Sequence, residues 1–404
     1  MKDRVLIVGA GPAGLSAAVY LTSRGIPISI FEAEKSLPKN LRASTFHPPT
    51  LDLLEPYGAT ASLINQGLVA SKFQYRDRSE GCLAEFDFGL ISDETNHPYR
   101  VQCEQFKLNM YLAKWLKTQG VDDIYFNHTV SKLKQDDQGV TVYTETLEGE
   151  KSFSGKWLIG ADGANSVVRK LCSIDFEGFT WEERFLVVST PYEYEKTIND
   201  LSFVNYFADP EQWFFLLKVP GLWRVMFPVQ NNENEVSIFS KDQIQQRMQW
   251  VLATGQPFDI SHTTLYKVHQ RVANHYRKNR VFLVGDAAHI NNPLGGMGMN
   301  GGIHDAFNLA EKLATVIHDN QSYKVLDSYE KQRRTIALDY VNKQSIKNKN
   351  NLEAKTIEDQ KAFRSFLKTL MQNESKAKKY LMRVSMLESL RDAENKKLTN
   401  FQNN

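Results

Sequence analysis

Four apolar residues in succession, Val5-Leu6-Ile7-Val8, begin the pattern. A run without polar alternation predicts a parallel strand buried on both faces. Gly9-Ala10-Gly11-Pro12-Ala13-Gly14 follows, and then Leu15, Ala18, Val19 and Leu21 recur at helical spacing up to Gly25, where the helix is expected to stop. Ile28-Ser29-Ile30-Phe31 predicts a second strand, ending at Glu32 and Ala33. The buried-strand pattern returns in Trp157-Leu158-Ile159-Gly160, before Ala161-Asp162-Gly163, and in Val281-Phe282-Leu283-Val284, before Gly285-Asp286. The latter runs on through Pro293 and a glycine-rich stretch, 295–302, into a helix expected from about Ile303 to Ala314.

Elsewhere the pattern changes. Residues 73–97 and 172–272 carry short aromatic-rich runs, among them Leu201 to Phe207, Trp213 to Val219 and Trp223 to Pro228, with Pro220-Gly221 as a turn. These predict antiparallel strands and a hairpin. From about Tyr323 the chain is helix-forming, with Phe363, Phe366, Leu367 and Leu370, then Leu381, Val384, Leu387 and Leu390, at helical spacing. This tail is basic, which is compatible with an anionic membrane surface but more simply with packing on the body.

Composition narrows the class. The chain has 404 residues, 42% hydrophobic and 24% charged, as in an ordinary globular protein, and a net charge of +2 gives no case for nucleic acid. Cys82, Cys103 and Cys172 form no C-x-x-C pair, which argues against disulfides or a metal site and suits a reducing cytoplasm. Gly9, Gly11, Pro12 and Gly14 interrupt the only apolar run that resembles a signal peptide, and no stretch is long enough to span a membrane.

Strand, glycine turn, helix, strand and acid together predict a dinucleotide site. Gly9, Gly11 and Gly14, with Pro12 and Ala13, would bring backbone N–H groups to a pyrophosphate at a helix N-terminus, and Glu32 would accept from a ribose diol. This motif alone does not separate FAD from NAD.

The segments 157–169 and 280–302 resemble the Asp-Gly and Gly-Asp motifs of class A flavoprotein monooxygenases, the family of para-hydroxybenzoate hydroxylase. They stand in family order with the first motif, across most of residues 1–315. The resemblance implies an α/β fold: a Rossmann-like FAD-binding domain (1–72, 98–171 and 273–322), an interleaved β-rich substrate domain (73–97 and 172–272) and a C-terminal helical region (323–404). It implies that Gly285 and Asp286 hold the ribityl and pyrophosphate part of FAD. Backbone at Gly298, Met299 and Asn300, at a helix mouth, would face the electron-rich end of the isoalloxazine. Asp162 would serve FAD and nicotinamide, or cap the following helix. Arg42 corresponds to a flavin-contacting arginine, and Gln105 to a family glutamine, with Gln102 competing.

The implied activity is hydroxylation of a small, aromatic or phenolic substrate with NADPH or NADH and O2, through a C4a-hydroperoxyflavin. Tyr206, Trp213 and Phe215, or their neighbours of opposite parity, are candidates to line the pocket. Arg224, an arginine among apolar residues, needs either a substrate carboxylate or a structural partner. His289 and Pro293 are the catalytic candidates, with His47 nearby. A halogenase, a flavin reductase or dehydrogenase and a non-catalytic dinucleotide-fold protein are the alternatives, and a monomer or homodimer is expected.

Overall fold

In the computed structural model residues 3–393 are described, other than 210, 231, 320 and 355. Val5–Val8 lies at the centre of a six-stranded sheet, parallel to Trp157–Gly160 on one side and Ile28–Phe31 on the other. Val281–Leu283 and Ile124–Tyr125 extend it in parallel, and Arg277–Lys278 closes one edge antiparallel. All four residues of each central strand are buried, as unalternating apolar runs require. The helix Pro12–Ser23 follows the first glycine turn.

One helix begins earlier than its hydrophobic pattern indicates. The helix expected from Ile303 runs over Met297–His318, taking in Gly298, Gly301 and Gly302. A Cβ built on Gly302 would stand 2.9 Å from the Gly285 Cα, so close packing on the Gly285 turn, rather than helix propensity, calls for glycine there.

The second sheet has eight strands, in the order His289–Ile290, His262–Ala273, Phe176–Thr190, Leu222–Val229, Phe214–Val219, Val204–Phe207, Lys72–Asp77 and Gly81–Asp87. Register fixes the parity left open by the sequence: Tyr75, Tyr206, Phe215 and Met226 sit side by side on one face. Phe207, Phe214, Val225 and Phe227 fill the other face, against the helix Lys241–Val251.

The C-terminal helices cover the first of these faces. Asp327–Ile336 and Lys343–Glu353 are joined by a π-helical turn, Ala337–Asn342, and Ile357–Met371 and Glu374–Val384 follow. Phe363, Leu367, Leu381 and Val384 bury themselves with Phe73, Tyr75 and Tyr206. The tail's cations meet acids on the body: Arg364 pairs with Asp77 and Glu80, and Lys378 with Asp93 and Glu94. Among the described residues no helix is long and apolar enough to cross a membrane.

Candidate active site

The first glycine turn is shaped by two different constraints. Gly9 has φ +103°, and its Cβ would stand 2.4 Å from the Ala161 carbonyl oxygen; the Gly14 Cβ would stand 2.0 Å from the Gly9 oxygen. Packing alone therefore demands glycine at both positions. Gly11 is different: its φ of −78° suits any residue, and its Cβ would meet nothing within 4 Å. The open space lies over the N-terminus of Pro12–Ser23, which has no side-chain cap, and so fits a diphosphate. Ala13 packs against Gly285, bringing the first turn onto the Gly-Asp turn. Across the cleft the Glu32 carboxylate accepts the Ala10 N–H at 2.9 Å and the Glu34 N–H at 3.0 Å, with Ala33 exposed beside it.

Asp286 is reached by solvent along the cleft but enclosed by protein, so burial pushes its carboxyl up while His289 and Arg42 pull it back. Its turn is held from behind. Asp305, fully buried on Met297–His318, accepts the Gly285 N–H at 3.2 Å, His289 Nε2–H at 2.7 Å and Arg333 Nε–H at 2.6 Å. Burial alone would raise this carboxyl, but Arg333 and then His289 outweigh it and hold Asp305 below its ordinary value. Asp162 accepts the Ser166 hydroxyl at 2.5 Å and the Val168 N–H at 3.0 Å, the helix-capping arrangement, and burial raises it.

The glycine-rich helix starts at Gly296, with φ +67° and no side-chain cap, leaving the N–H groups of its first turn free of intrahelical partners. Gly298 and Met299 are half-buried there, while the Asn300 side chain is fully used. Its Nδ2 donates to the Thr45 and Gly296 carbonyls, and its Oδ1 accepts from His47 N–H and the Thr50 hydroxyl. Of the two glutamines, Gln102 is buried with its Oε1 on the Thr45 hydroxyl and its Nε2 unpartnered, whereas Gln105 is half-buried at the first turn of Gln105–Thr118.

A small cavity, about 10 Å³ as it stands, lies between the glycine loop and the second sheet. Phe73, Tyr75 and Tyr206 of the sheet, Gly295 and Met297 of the loop, and Asn348, Tyr380 and Val384 of the C-terminal helices enclose it, together with Arg100. The Tyr75 and Tyr380 hydroxyls are 3.0 Å apart. Burial pushes the Tyr75 phenol well up and that of Tyr380 up to about 12, so both keep their protons at neutral pH. His47 donates from Nε2 to the Gly295 carbonyl at 2.7 Å, and burial followed by the Arg100 charge keeps the ring neutral.

Five of the expected residues lie outside the cavity lining. Trp213 lies off the end of its strand and packs edge-on against Phe185, with centroids 5.3 Å apart, rather than lining the cavity. Arg224 finds a structural partner, donating to the Arg42 carbonyl at 2.9 Å and the Ser44 hydroxyl at 3.1 Å, so it braces the 42–44 segment. His289 is buried in the Asp305 network and does not line the cavity. Pro293 is exposed, and its carbonyl closes the turn to Gly296. Phe215 stands behind Tyr206, with centroids 6.0 Å apart. Arg100, Tyr75 and Tyr380 were missed; Arg100 opens the short strand Arg100–Gln102, whose mixed polar sequence gives no sign of its burial.

A glycine-turn cleft on a mainly parallel sheet, beside an aromatic cavity on a mainly antiparallel one, is the arrangement of an FAD-dependent hydroxylase. A family model described as "FAD binding domain" matches residues 2–344. The chain belongs to this family, and within it to the class A flavin monooxygenases that hydroxylate aromatic compounds. It is 33% identical over 343 residues to para-nitrophenol 4-monooxygenase of Pseudomonas sp. (strain WBC-3), covering 84% of each chain. It is likewise 33% identical over 360 residues to 6-hydroxy-3-succinoylpyridine 3-monooxygenase of Pseudomonas putida (strain DSM 28022 / S16), covering 87% of this chain and 89% of that one. The crystal structure of p-nitrophenol 4-monooxygenase from Pseudomonas putida DLL-E4 superposes with a TM-score of 0.89 at 28% identity, over 96% of this chain and 98% of that one. FAD is the cofactor and NAD(P)H the co-substrate, and the monooxygenase reading prevails over the reductase, halogenase and binding-protein alternatives.

Proposed function

We propose that the chain hydroxylates a single-ring phenol at the ring carbon opposite the hydroxyl. The lining carries this reading: Phe73, Tyr75, Tyr206 and Tyr380 turn four aromatic side chains to one narrow space beside the glycine loop, where a flat ring would stack. The names of two relatives point the same way, since 4-oxygenation of para-nitrophenol and 3-oxygenation of a 6-hydroxypyridine both act opposite the hydroxyl.

Residues 1–72, 98–171 and 273–322 are assigned to FAD, and 73–97 and 172–272 to the substrate, with 323–393 closing the cavity. Gly9, Gly11, Pro12, Ala13 and Gly14 receive the diphosphate, with Glu32 and Ala33 at the ribose and Arg42 at a phosphate. Asp162, Gly285 and Asp286 line the same cleft, with Gln102 in preference to Gln105. The open first turn at Gly298 to Asn300 faces the flavin, where a helix N-terminus stabilises negative charge. Bound FAD, reduced by NAD(P)H, supplies the activated oxygen. The chain orients the ring between Tyr206 and Met297, holds protons on Tyr75 and Tyr380 and keeps water out. Its free cysteines suit the cytoplasm, as a monomer or homodimer.

The test is NAD(P)H oxidation by the FAD-loaded enzyme with 4-nitrophenol and a panel of 4-substituted phenols. Oxygenation of 4-nitrophenol at the carbon bearing the nitro group should release it as nitrite and leave 1,4-benzoquinone, one of each per NAD(P)H and O2 consumed, and other leaving substituents should depart likewise. Phenol-stimulated oxidation that yields only hydrogen peroxide, with every phenol recovered intact, would reject the proposal.

A further inference from the structure

Arg100 stands out among the buried cations. It opens the strand Arg100–Gln102, held opposite Ala70, and is 2% exposed. Its Nε and Nη1 are buried without a hydrogen-bond partner, and among the described residues no carboxylate pairs with it. Its guanidinium lies over the Phe73 and Phe88 rings, 4.8 and 5.1 Å from their centroids. Ring faces attract a cation, but they offer no acceptors in the plane of the fork, where a guanidinium is recognised. The other buried arginines each have at least one acceptor, although one nitrogen of Arg76, Arg184, Arg224 and Arg333 is likewise unpartnered. Arg333 has Asp305, Arg184 has Glu235 and main-chain carbonyls, Arg169 has two carbonyls, Arg76 has Gln74, and Arg224 has the Arg42 carbonyl and Ser44 hydroxyl.

The surroundings offer no anion in exchange. The titratable groups facing Arg100 are His47, Tyr75, Tyr206 and Tyr380. Arg100 is one of the influences that keep His47 neutral, and burial keeps the protons on Tyr75 and Tyr380 although Arg100 pulls the other way. None of the cavity's lining residues is acidic. An uncompensated buried charge whose free N–H groups adjoin a cavity is completed by an anion entering that cavity.

We propose that Arg100 is a specificity-determining residue that takes the substrate as an oxyanion, binding the ring's phenolate oxygen in preference to a neutral phenol. This rests on the phenol reading above and adds the charge state in which the substrate binds. Ionisation of the oxygen also enriches the ring opposite it in electrons, where the new oxygen is to be placed.

The FAD-loaded enzyme is titrated with 4-nitrophenol across pH, with the phenolate absorbance of the bound ligand as the readout, and separately with benzoate and neutral benzamide. In the wild type, bound 4-nitrophenol should ionise at least one pH unit below the free compound, and benzoate should bind about tenfold or more tightly than benzamide. Arg100→Gln should abolish both effects, weakening the anions by about ten- to a hundredfold, and Arg100→Lys should keep part of each. Wild-type enzyme that binds 4-nitrophenol with unchanged or raised ionisation, or that binds neither anion, overturns the proposal however the variants fold. So does an Arg100→Gln enzyme with the full wild-type shift. If no phenol is hydroxylated while benzoate binding still depends on Arg100, the phenol reading falls and the anion site stands; hydroxylation of phenols bound in neutral form gives the converse.

Discussion

At the scale of single residues, two glycines of one motif separate fold from function. Gly11→Ala adds a Cβ into empty space at an ordinary φ, so the fold without cofactor should hold within about 0.5 kcal/mol, while FAD affinity falls tenfold or more. Gly9→Ala forces a side chain onto the Ala161 carbonyl at φ +103° and should cost about 2 kcal/mol or more of stability. Urea melts and FAD titrations check both, and unaltered FAD binding by Gly11→Ala would mean that no diphosphate occupies that space. His304 offers a pH test. Buried and bonded to the Thr50 hydroxyl, it is pushed down to about 3 by burial first and then by Arg333. Its folded value lies below its unfolded one, near 6.5, so the native state binds fewer protons between the two and stability falls as pH drops through that window. Lowered His47 acts in the same sense, and Asp305, depressed below its own ordinary value, adds to the loss in more acidic solution. The fall in urea stability from pH 6.5 to 4.5 should be shallower in His304→Gln, and unchanged in His262→Gln, which alters an exposed ring.

At the scale of elements, what the sequence reveals depends on whether the cause is local. Val5–Val8, Ile28–Phe31 and the helix after the first glycine turn were legible because burial on both faces and helical spacing are written in consecutive residues. The start of Met297–His318 was not, because its glycines answer to partners distant in sequence, Gly285 and the His289 ring. Asp305 was missed for a related reason: an acid within an apolar helical pattern signals a buried partner but does not name Arg333 or His289. A polar relay links the C-terminal helices to the cavity in the same long-range way. Arg383 Nε donates to Gln344 at 3.0 Å, Gln344 Nε2 to Asn348 at 2.8 Å and Asn348 Nδ2 to the Leu294 carbonyl at 3.3 Å, beside Gly295. Gln344→Leu breaks two of these bonds inside a buried site and should cost about 1–3 kcal/mol. If the relay positions the loop, KM for the phenol should rise several-fold with FAD affinity intact; loss of stability with KM unchanged would leave it a purely structural contact.

For the whole molecule, the cavity exists only where three parts of the chain meet, and this closure was the least legible feature of the site. Tyr75 and Tyr380 stand 305 positions apart in the sequence, and nothing local to either identifies the other. The tail's hydrophobic spacing promised packing, but not that it would wall the substrate cavity. Two forces hold it there, and their magnitudes decide which matters. The Arg364 and Lys378 ion pairs lie at the surface, where each contributes about 0–1 kcal/mol and weakens with salt. Leu381, fully buried against the sheet, is a core side chain whose truncation costs about 2–5 kcal/mol. Arg364→Gln with Lys378→Gln should therefore leave the melting temperature and the coupling of NAD(P)H to product nearly unchanged. Leu381→Ala should loosen the wall, admit water and divert NAD(P)H oxidation to hydrogen peroxide, with FAD still bound because the diphosphate cleft lies in the other sheet. Peroxide formed per NAD(P)H consumed, measured below the melting temperature of each variant, distinguishes the two forces. A rise in the charge-neutral variant that Leu381→Ala does not match would place the closing force in the ion pairs instead of the apolar seam.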